Sequence, residues 1–281
     1  MNTSIKVSAW ESWRPAEYLQ EYCHQVELDD QEAIRFQIEF LRREGRMFPR
    51  ALEYGCGPTL MRAIAAAAYV ESLDMADHLD INLRHVRRWA SGVRQADDWS
   101  RFTEYVLRCE GIAQASREDT FAREQQTRRA LSELLLTDAR RRYPLGRDRV
   151  ASYDLLISGF CMDSLSPSKA VWRHCLRNVF GLLKPGASFV ILALRGCKAY
   201  RVGARWFPGA DIQSSDLELA LLECGAAPGR LEIAESDLPS HAGHGYTGIL
   251  LASGQMSGDQ RRVGLAARRI SERIAPCHSS N

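Results

Sequence analysis

The amino-acid sequence predicts an α/β fold built around a mostly parallel sheet with helices packed on it. Three observations predict it. A short strand candidate at 51–54 runs into a glycine-containing turn and then into an alanine-rich helical stretch at 60–68. A second strand candidate at 69–76 stops at Asp77, and Leu79, Leu83, Val86 and Arg87 then follow helical spacing as far as Gly92. The alternation resumes with an apolar strand at 153–160, a helix at 169–183 and a buried strand at 188–194. Strands that alternate with helices are joined by crossovers and therefore lie parallel.

The remaining elements fill in around this alternation. Before the first strand, Trp10, Trp13, Tyr18 and Tyr22 accompany a helical apolar spacing that starts at Pro15. Two helices are expected there, with Pro15 in the first turn of the first, where its missing N–H costs nothing. Residues 98–136 are strongly charged and helical in pattern, as two inserted helices would be, before a third strand at 134–138; such insertions often roof a pocket. Lys184, Pro185 and Gly186 form a stop signal for the helix at 169–183. A helix at 215–224 closed by Gly225 and a closing strand pair at 230–234 and 246–252 complete the core. From Met256 the chain is rich in Arg and Ser and is expected to form a helix with a loose end.

Composition narrows the function classes. The chain has 281 residues, 45% hydrophobic and 26% charged, a globular profile. Its longest uncharged apolar run, 63–70, is far short of the roughly 20 residues that cross a bilayer. Residues 1–13 lack a basic start followed by an apolar stretch, so no secretory signal is read there and a cytoplasmic location without a membrane partner is expected. The eight cysteines never fall at the close spacing of a zinc site or redox dithiol, and no metal is expected. A net charge of +2 is too small to attract a polyanion by its long-range field. The arginine runs at 128–129, 140–142, 261–262 and 268–269 are offset by nearby acids and lack stacking aromatics, so they read as solvated faces, and no nucleic-acid partner is expected.

Chemistry concentrates at Glu53–Tyr54–Gly55–Cys56–Gly57–Pro58, where glycines allow a tight turn and a close ligand approach. With two glycines and Pro58 at the following helix, this is not a dinucleotide fingerprint, and a ligand without a pyrophosphate is favoured. Asp77 lies about 20 residues further on, at a strand end where folds of this kind hydrogen-bond a ribose diol. Taken separately, the two features are also a surface turn and a helix-capping aspartate; taken together they point to a nucleoside.

At these residues the chain resembles the nicotinamide, phenylethanolamine and indolethylamine N-methyltransferase family. The resemblance includes Arg14, Pro15, Tyr18, Leu19 and Tyr22, the turn Gly55 to Thr59, Asp77, Asn82 and Trp89, and Asp98, Trp99 and Ser100. It continues through Asp138, Pro144, Leu145 and Gly146, the stretch 153–163, Leu176, Arg177 and Asn178, the stretch 182–186, Tyr200 and Gly203, and spans roughly residues 13–252. It implies a Rossmann-like class I methyltransferase fold: a seven-stranded, mostly parallel sheet with helices on both faces, an N-terminal helical lid over 1–45, a core domain over 46–255 with an insertion near 98–133, and an extension from 256. It implies S-adenosylmethionine as cofactor. By the resemblance, Gly55, Cys56, Gly57 and Thr59 lie against the methionine part, Asp77 and Asn82 hold the ribose, Asp138 and Ala139 meet the adenine, and Ser158 lies near the sulfonium. Tyr18 and Tyr22 close over the ligand, with aromatic packing of their helix on the core as the alternative. The family has a further tyrosine directly after Tyr22, where this chain has Cys23.

The chain also departs from the family after the fifth strand, where the mammalian amine methyltransferases carry carboxylates that meet the substrate. The stretch 193–200 here has no acid but has Arg195 and Lys198. A small-molecule acceptor bearing an anionic group such as a carboxylate is therefore expected, with solvated side chains as the alternative. Tyr18, Arg195, Cys197 and Tyr200 are the residues expected to shape the reaction, and His241, on a loop with His244, is a candidate proton acceptor. The expected activity is methyl transfer to a nitrogen of a small metabolite, plausibly in secondary metabolism, by a monomer or homodimer. The alternatives are O-methylation, a cyclisation or alkyl transfer from the cofactor that releases methylthioadenosine, and nucleoside binding without turnover.

Overall fold

The computed structural model describes residues 7–258; the expected C-terminal helix and the arginine pairs 261–262 and 268–269 lie outside them. Strands β1 (Ala51–Tyr54), β2 (Leu73–Asp77), β3 (Leu131–Leu136), β4 (Tyr153–Gly159), β5 (Leu183–Leu194), β8 (Glu232–Asp237) and β9 (Gly248–Gln255) form one sheet in the order β3-β2-β1-β4-β5-β9-β8. β1 to β5 pair in parallel, while β9 runs antiparallel to both β5 and β8. From β1 the chain steps outward through β2 and β3, then crosses to β4 on the other side of β1. This reversal opens a crevice at the carboxyl ends of β1 and β4, the place where open parallel sheets bind ligands.

The central strands are buried on both faces, so period-two alternation sorts their side chains between two apolar layers. Ala51, Leu155, Ile157, Val190 and Leu192 face one layer, with α2 (Leu28–Glu44), α3 (Met61–Ala66), α4 (Asp80–Ala90) and α5 (Ser100–Cys109). Leu52, Tyr54, Leu156, Phe189 and Ile191 face the other, with α7 (Lys169–Phe180) and α8 (Ser214–Glu223). Among the described residues no helix is long and apolar enough to cross a membrane.

Several sequence expectations are corrected. The Lys184–Pro185–Gly186 stop signal is not the helix end: α7 stops at Phe180, and these residues lie inside β5, because Leu183 already pairs with Tyr153. β2 starts at Leu73 and β3 ends at Leu136, one shorter and one earlier than expected. The inserted helices α5 and α6 (Arg117–Ala130) do not roof a pocket; they pack against α2 and α3 at the side of the sheet. A hairpin was not anticipated at all: β6 (Ala199–Val202) and β7 (Arg205–Pro208) pair across Gly203 and Ala204. Its alternation is masked by Arg201, which lies on the face opposite Tyr200, Val202 and Phe207, and by Arg205, which pairs directly across from Val202 at the turn end.

That hairpin seats the N-terminal segment. α1 (Pro15–Tyr22) starts with Pro15 at its first position, as expected. Ser8 N donates to Trp206 O at 2.7 Å, Glu17 pairs with Arg205 at 2.7 Å, and Glu21 accepts from Gly203 N. Trp10 stacks on Phe207 with ring centroids 4.9 Å apart, and Trp13 meets the same ring edge-on at 5.1 Å.

Candidate active site

The turn after β1 demands its glycines. Gly55 has φ +72° and Gly57 φ +60°, and a Cβ at Gly55 would fall 1.9 Å from Cys161 Sγ. Gly55 N donates to Ala76 O at 2.7 Å, which ties the turn to the end of β2. There Asp77 is almost fully buried, and its carboxylate accepts from Gly57 N at 2.8 Å, Leu79 N at 2.8 Å and Asn82 Nδ2 at 3.0 Å. Burial pushes its pKa above the ordinary value, against these three bonds. Asn82 Oδ1 in turn accepts from Trp13 Nε1 at 2.9 Å, so the N-terminal segment is latched onto the acid.

A cavity of about 180 Å³ lies above this turn, at the switch point of the sheet. Tyr18 and Tyr22 cover it as a stacked pair with centroids 5.1 Å apart, and Tyr22 donates its hydroxyl to Arg201 O on the hairpin. Burial raises the pKa of Tyr18, Tyr22 and Tyr200, so all three are neutral donors at physiological pH. Opposite the turn, α2 presents Asp29 and Asp30 to the cavity. Tyr246 donates to Asp29 Oδ2 at 2.8 Å and His241 Nε2 lies 3.5 Å from Asp29 Oδ1. Burial pushes Asp29 up, but these two partners outweigh it and hold its carboxyl below the usual range; Asp29 in return raises His241. Asp30 has no such partners, so burial and the neighbouring Asp29 charge drive it well above the usual range, against Arg62. Within the pair, negative charge is therefore favoured on Asp29 and disfavoured on Asp30.

Of the residues expected at the site, Tyr18, Tyr22, Gly55, Cys56, Gly57, Thr59, Asp77, Asn82, Asp138, Ala139 and Tyr200 line this one cavity. Four do not. Ser158 donates to Tyr54 O at 2.8 Å inside the sheet, and the wall there is made by Gly159, Phe160 and Cys161. Arg195 turns to the sheet edge, where it pairs with Glu235 at 2.7 Å and with Asp237, and Lys198 is exposed with Asp211 at 3.8 Å. The basis for an anionic acceptor at Arg195 and Lys198 is thereby removed. Cys197 is buried in the core, and burial pushes its thiol up to about 12, which leaves no thiolate for chemistry. His241 stands behind Asp29 rather than on the cavity wall.

The cavity also contains residues that were not anticipated: Trp10, Asp29, Asp30, Arg62, Cys161 and Tyr246. Asp29 and Asp30 read in sequence as first-turn acids of α2, which any helix favours near its N-terminus. Arg62 sits in an apolar alanine-rich run, and only its isolation there was a signal.

The chain is similar to known N-methyltransferases. Phenylethanolamine N-methyltransferase of Bos taurus is 27% identical over 192 residues, 68% of this chain and 66% of that protein. Nicotinamide N-methyltransferase of Homo sapiens is 28% identical over 174 residues, 62% of this chain and 64% of that protein. The chain thus aligns with just under two thirds of the length of these two relatives. Among solved structures, Burkholderia thailandensis 1,6-didemethyltoxoflavin-N1-methyltransferase, with 1,6-didemethyltoxoflavin and S-adenosylhomocysteine bound, superposes with a TM-score of 0.53 at 12% identity over 90% of this chain and 93% of that one. N-methyltransferase NodS from Bradyrhizobium japonicum WM9, in complex with S-adenosylhomocysteine, gives 0.50 at 15% identity over 84% and 91%. At such identities the likeness concerns the fold, which is that of the class I S-adenosylmethionine-dependent methyltransferases. The NNMT/PNMT/TEMT family model matches residues 3–254, nearly the whole of the described chain, and the protein belongs to that family.

Proposed function

We propose that this protein is an S-adenosylmethionine-dependent methyltransferase that alkylates a nitrogen of a small metabolite. The observation that carries the reading is the single cavity in which the Gly55–Gly57 turn, the Asp77–Asn82 pair and the stacked Tyr18 and Tyr22 rings meet. The residues fit the cofactor's parts: Asp77 is a buried acceptor for a ribose diol, Asp138 and Ala139 border the adenine end, and the tyrosine faces suit a sulfonium. Bound there, the cofactor would supply a methyl group already activated by a neutral thioether leaving group.

The protein's own task is then positioning and exclusion of water. Alignment of nucleophile, methyl and sulfur can supply most of the acceleration, and Trp13 and Tyr22, latched to Asn82 and Arg201, hold the N-terminal segment closed over the reacting centre. For the acceptor, the charge on Asp29 and the absence of any cation at the expected Arg195 position favour a nitrogen compound that is cationic or carries an N–H. His241 and Tyr246 act through Asp29, fixing its charge and orientation.

The test is incubation with methyl-labelled S-adenosylmethionine and a panel of small amines and nitrogen heterocycles. The expected result is a labelled acceptor formed in step with S-adenosylhomocysteine; methylthioadenosine as the only nucleoside product, or binding without turnover across the panel, contradicts the proposal. Asp29→Asn should then lower kcat/KM for the acceptor by about 10- to 100-fold, the loss of one charge-assisted contact, with the cofactor KM unchanged.

A further inference from the structure

Arg62 is a cation that closes no ion pair among the described residues. It is 5% exposed, yet among the described residues its buried Nε has no hydrogen-bond acceptor and its Nη1 reaches only the Met61 sulfur at 3.5 Å. Glu53 and Asp30 are near enough to feel its charge, but neither closes an ion pair with it among the described residues. Burial disfavours the charged form of both, raising Asp30 well above the usual carboxylate range and pushing Glu53 up to about 8. A buried guanidinium in this state is costly unless something anionic completes it.

The surroundings have been shaped around this side chain. Its backbone carbonyl is fixed by Gln37 Nε2 at 2.9 Å, and its guanidinium lies over the Phe160 ring at 5.3 Å. At Gly159 a Cβ would fall 1.8 Å from Arg62 Nε, so the absence of a side chain there gives the guanidinium its place. Arg62, Gly159 and Phe160 all line the cavity, beside the Gly55–Gly57 turn and facing Tyr18 and Cys23.

We infer that Arg62 binds the carboxylate of the amino-acid end of the cofactor, donating to it as a planar, charge-assisted partner between the glycine turn and the Tyr18 ring. The inference rests on the proposed nucleoside site and adds to it the group that selects for the amino-acid tail. A guanidinium matches a carboxylate with two parallel donors, which a lysine or a neutral amide does not.

The test is a calorimetric cycle that removes the contact from either side. Wild type, Arg62→Gln and Arg62→Lys are titrated with S-adenosylhomocysteine, with its decarboxylated analogue and with methylthioadenosine, none of which involves an acceptor. The expected result is a loss of about 10- to 100-fold for S-adenosylhomocysteine in Arg62→Gln, a smaller loss in Arg62→Lys, and little change for the two ligands that lack a carboxylate. Equal weakening of all three ligands would assign Arg62 to cavity shape instead, and unchanged S-adenosylhomocysteine binding would overturn the inference outright. Should Arg62→Gln fail to fold, the wild-type comparison suffices: equal affinity for S-adenosylhomocysteine and its decarboxylated analogue overturns it, and a clear preference for the former supports it. Folded wild type that binds none of the three contradicts the nucleoside site itself, and this inference falls with it.

Discussion

Asp77→Ala should bind S-adenosylhomocysteine at least about 100-fold more weakly than the wild type and should unfold about 3 kcal/mol more easily, because one carboxylate serves both the ligand and the turn. Its two oxygens already accept from Gly57 N, Leu79 N and Asn82 Nδ2. A carboxylate has about four acceptor positions, so it can take one more donor without giving up the turn. Alanine removes that position and leaves three buried donors unpaired, each worth about 1–3 kcal/mol if water cannot reach it. The loosened Asn82 also frees Trp13 Nε1, which opens the latch of the N-terminal segment. Asp77→Asn separates the two effects: it retains one oxygen and most of the shape, so stability should fall less than affinity. Titration calorimetry and denaturant unfolding read the two quantities. An Asp77→Ala variant that binds within a few-fold of wild type would remove the ribose role from this residue.

Glu53→Gln should remove a large pH dependence of stability. Both Glu53 oxygens are buried without hydrogen-bond partners among the described residues. Burial pushes its pKa from 4.5 to about 8, opposed by Arg62 and assisted by Asp77. Because the folded state favours the protonated acid, this stabilisation is complete below the unfolded pKa of 4.5, is lost steadily as pH rises, and is gone above about 8. Between pH 5 and pH 8 the loss is on the order of 3 kcal/mol. Glutamine keeps the shape and cannot ionise, so the variant should lack this part of the slope. Unfolding free energies at pH 5 and pH 8 for both proteins decide it. Parallel slopes would mean that Glu53 ionises freely, in which case Arg62 already has its counter-charge within the protein.

The framework of this fold was legible because its strongest signals are local. The strand β1, the glycine turn and the acid at Asp77 are governed by backbone sterics and short-range spacing and fell where the sequence placed them, while the helix between them came out shorter. Tyr18 and Tyr22, set on one side of α1, came to the same cavity. The failures are all questions of partners distant in sequence. Lys184 to Gly186 look like a helix stop until the pairing of Leu183 with Tyr153 extends the strand through them. Arg195 looks available until Glu235 and Asp237 arrive from β8, some 40 residues later. Asp29 looks like a helix-end acid until Tyr246 and His241 reach it across more than 200 residues. A residue type announces its chemistry in sequence, but whether that chemistry is already spent on a neighbour is decided only by the tertiary fold.

The most direct test of the account is calorimetric titration of the wild-type protein with S-adenosylhomocysteine. A single site with one-to-one stoichiometry, abolished in Asp77→Ala, is the predicted result. No heat from S-adenosylhomocysteine or S-adenosylmethionine at millimolar concentration, with a protein shown to be folded, would contradict it.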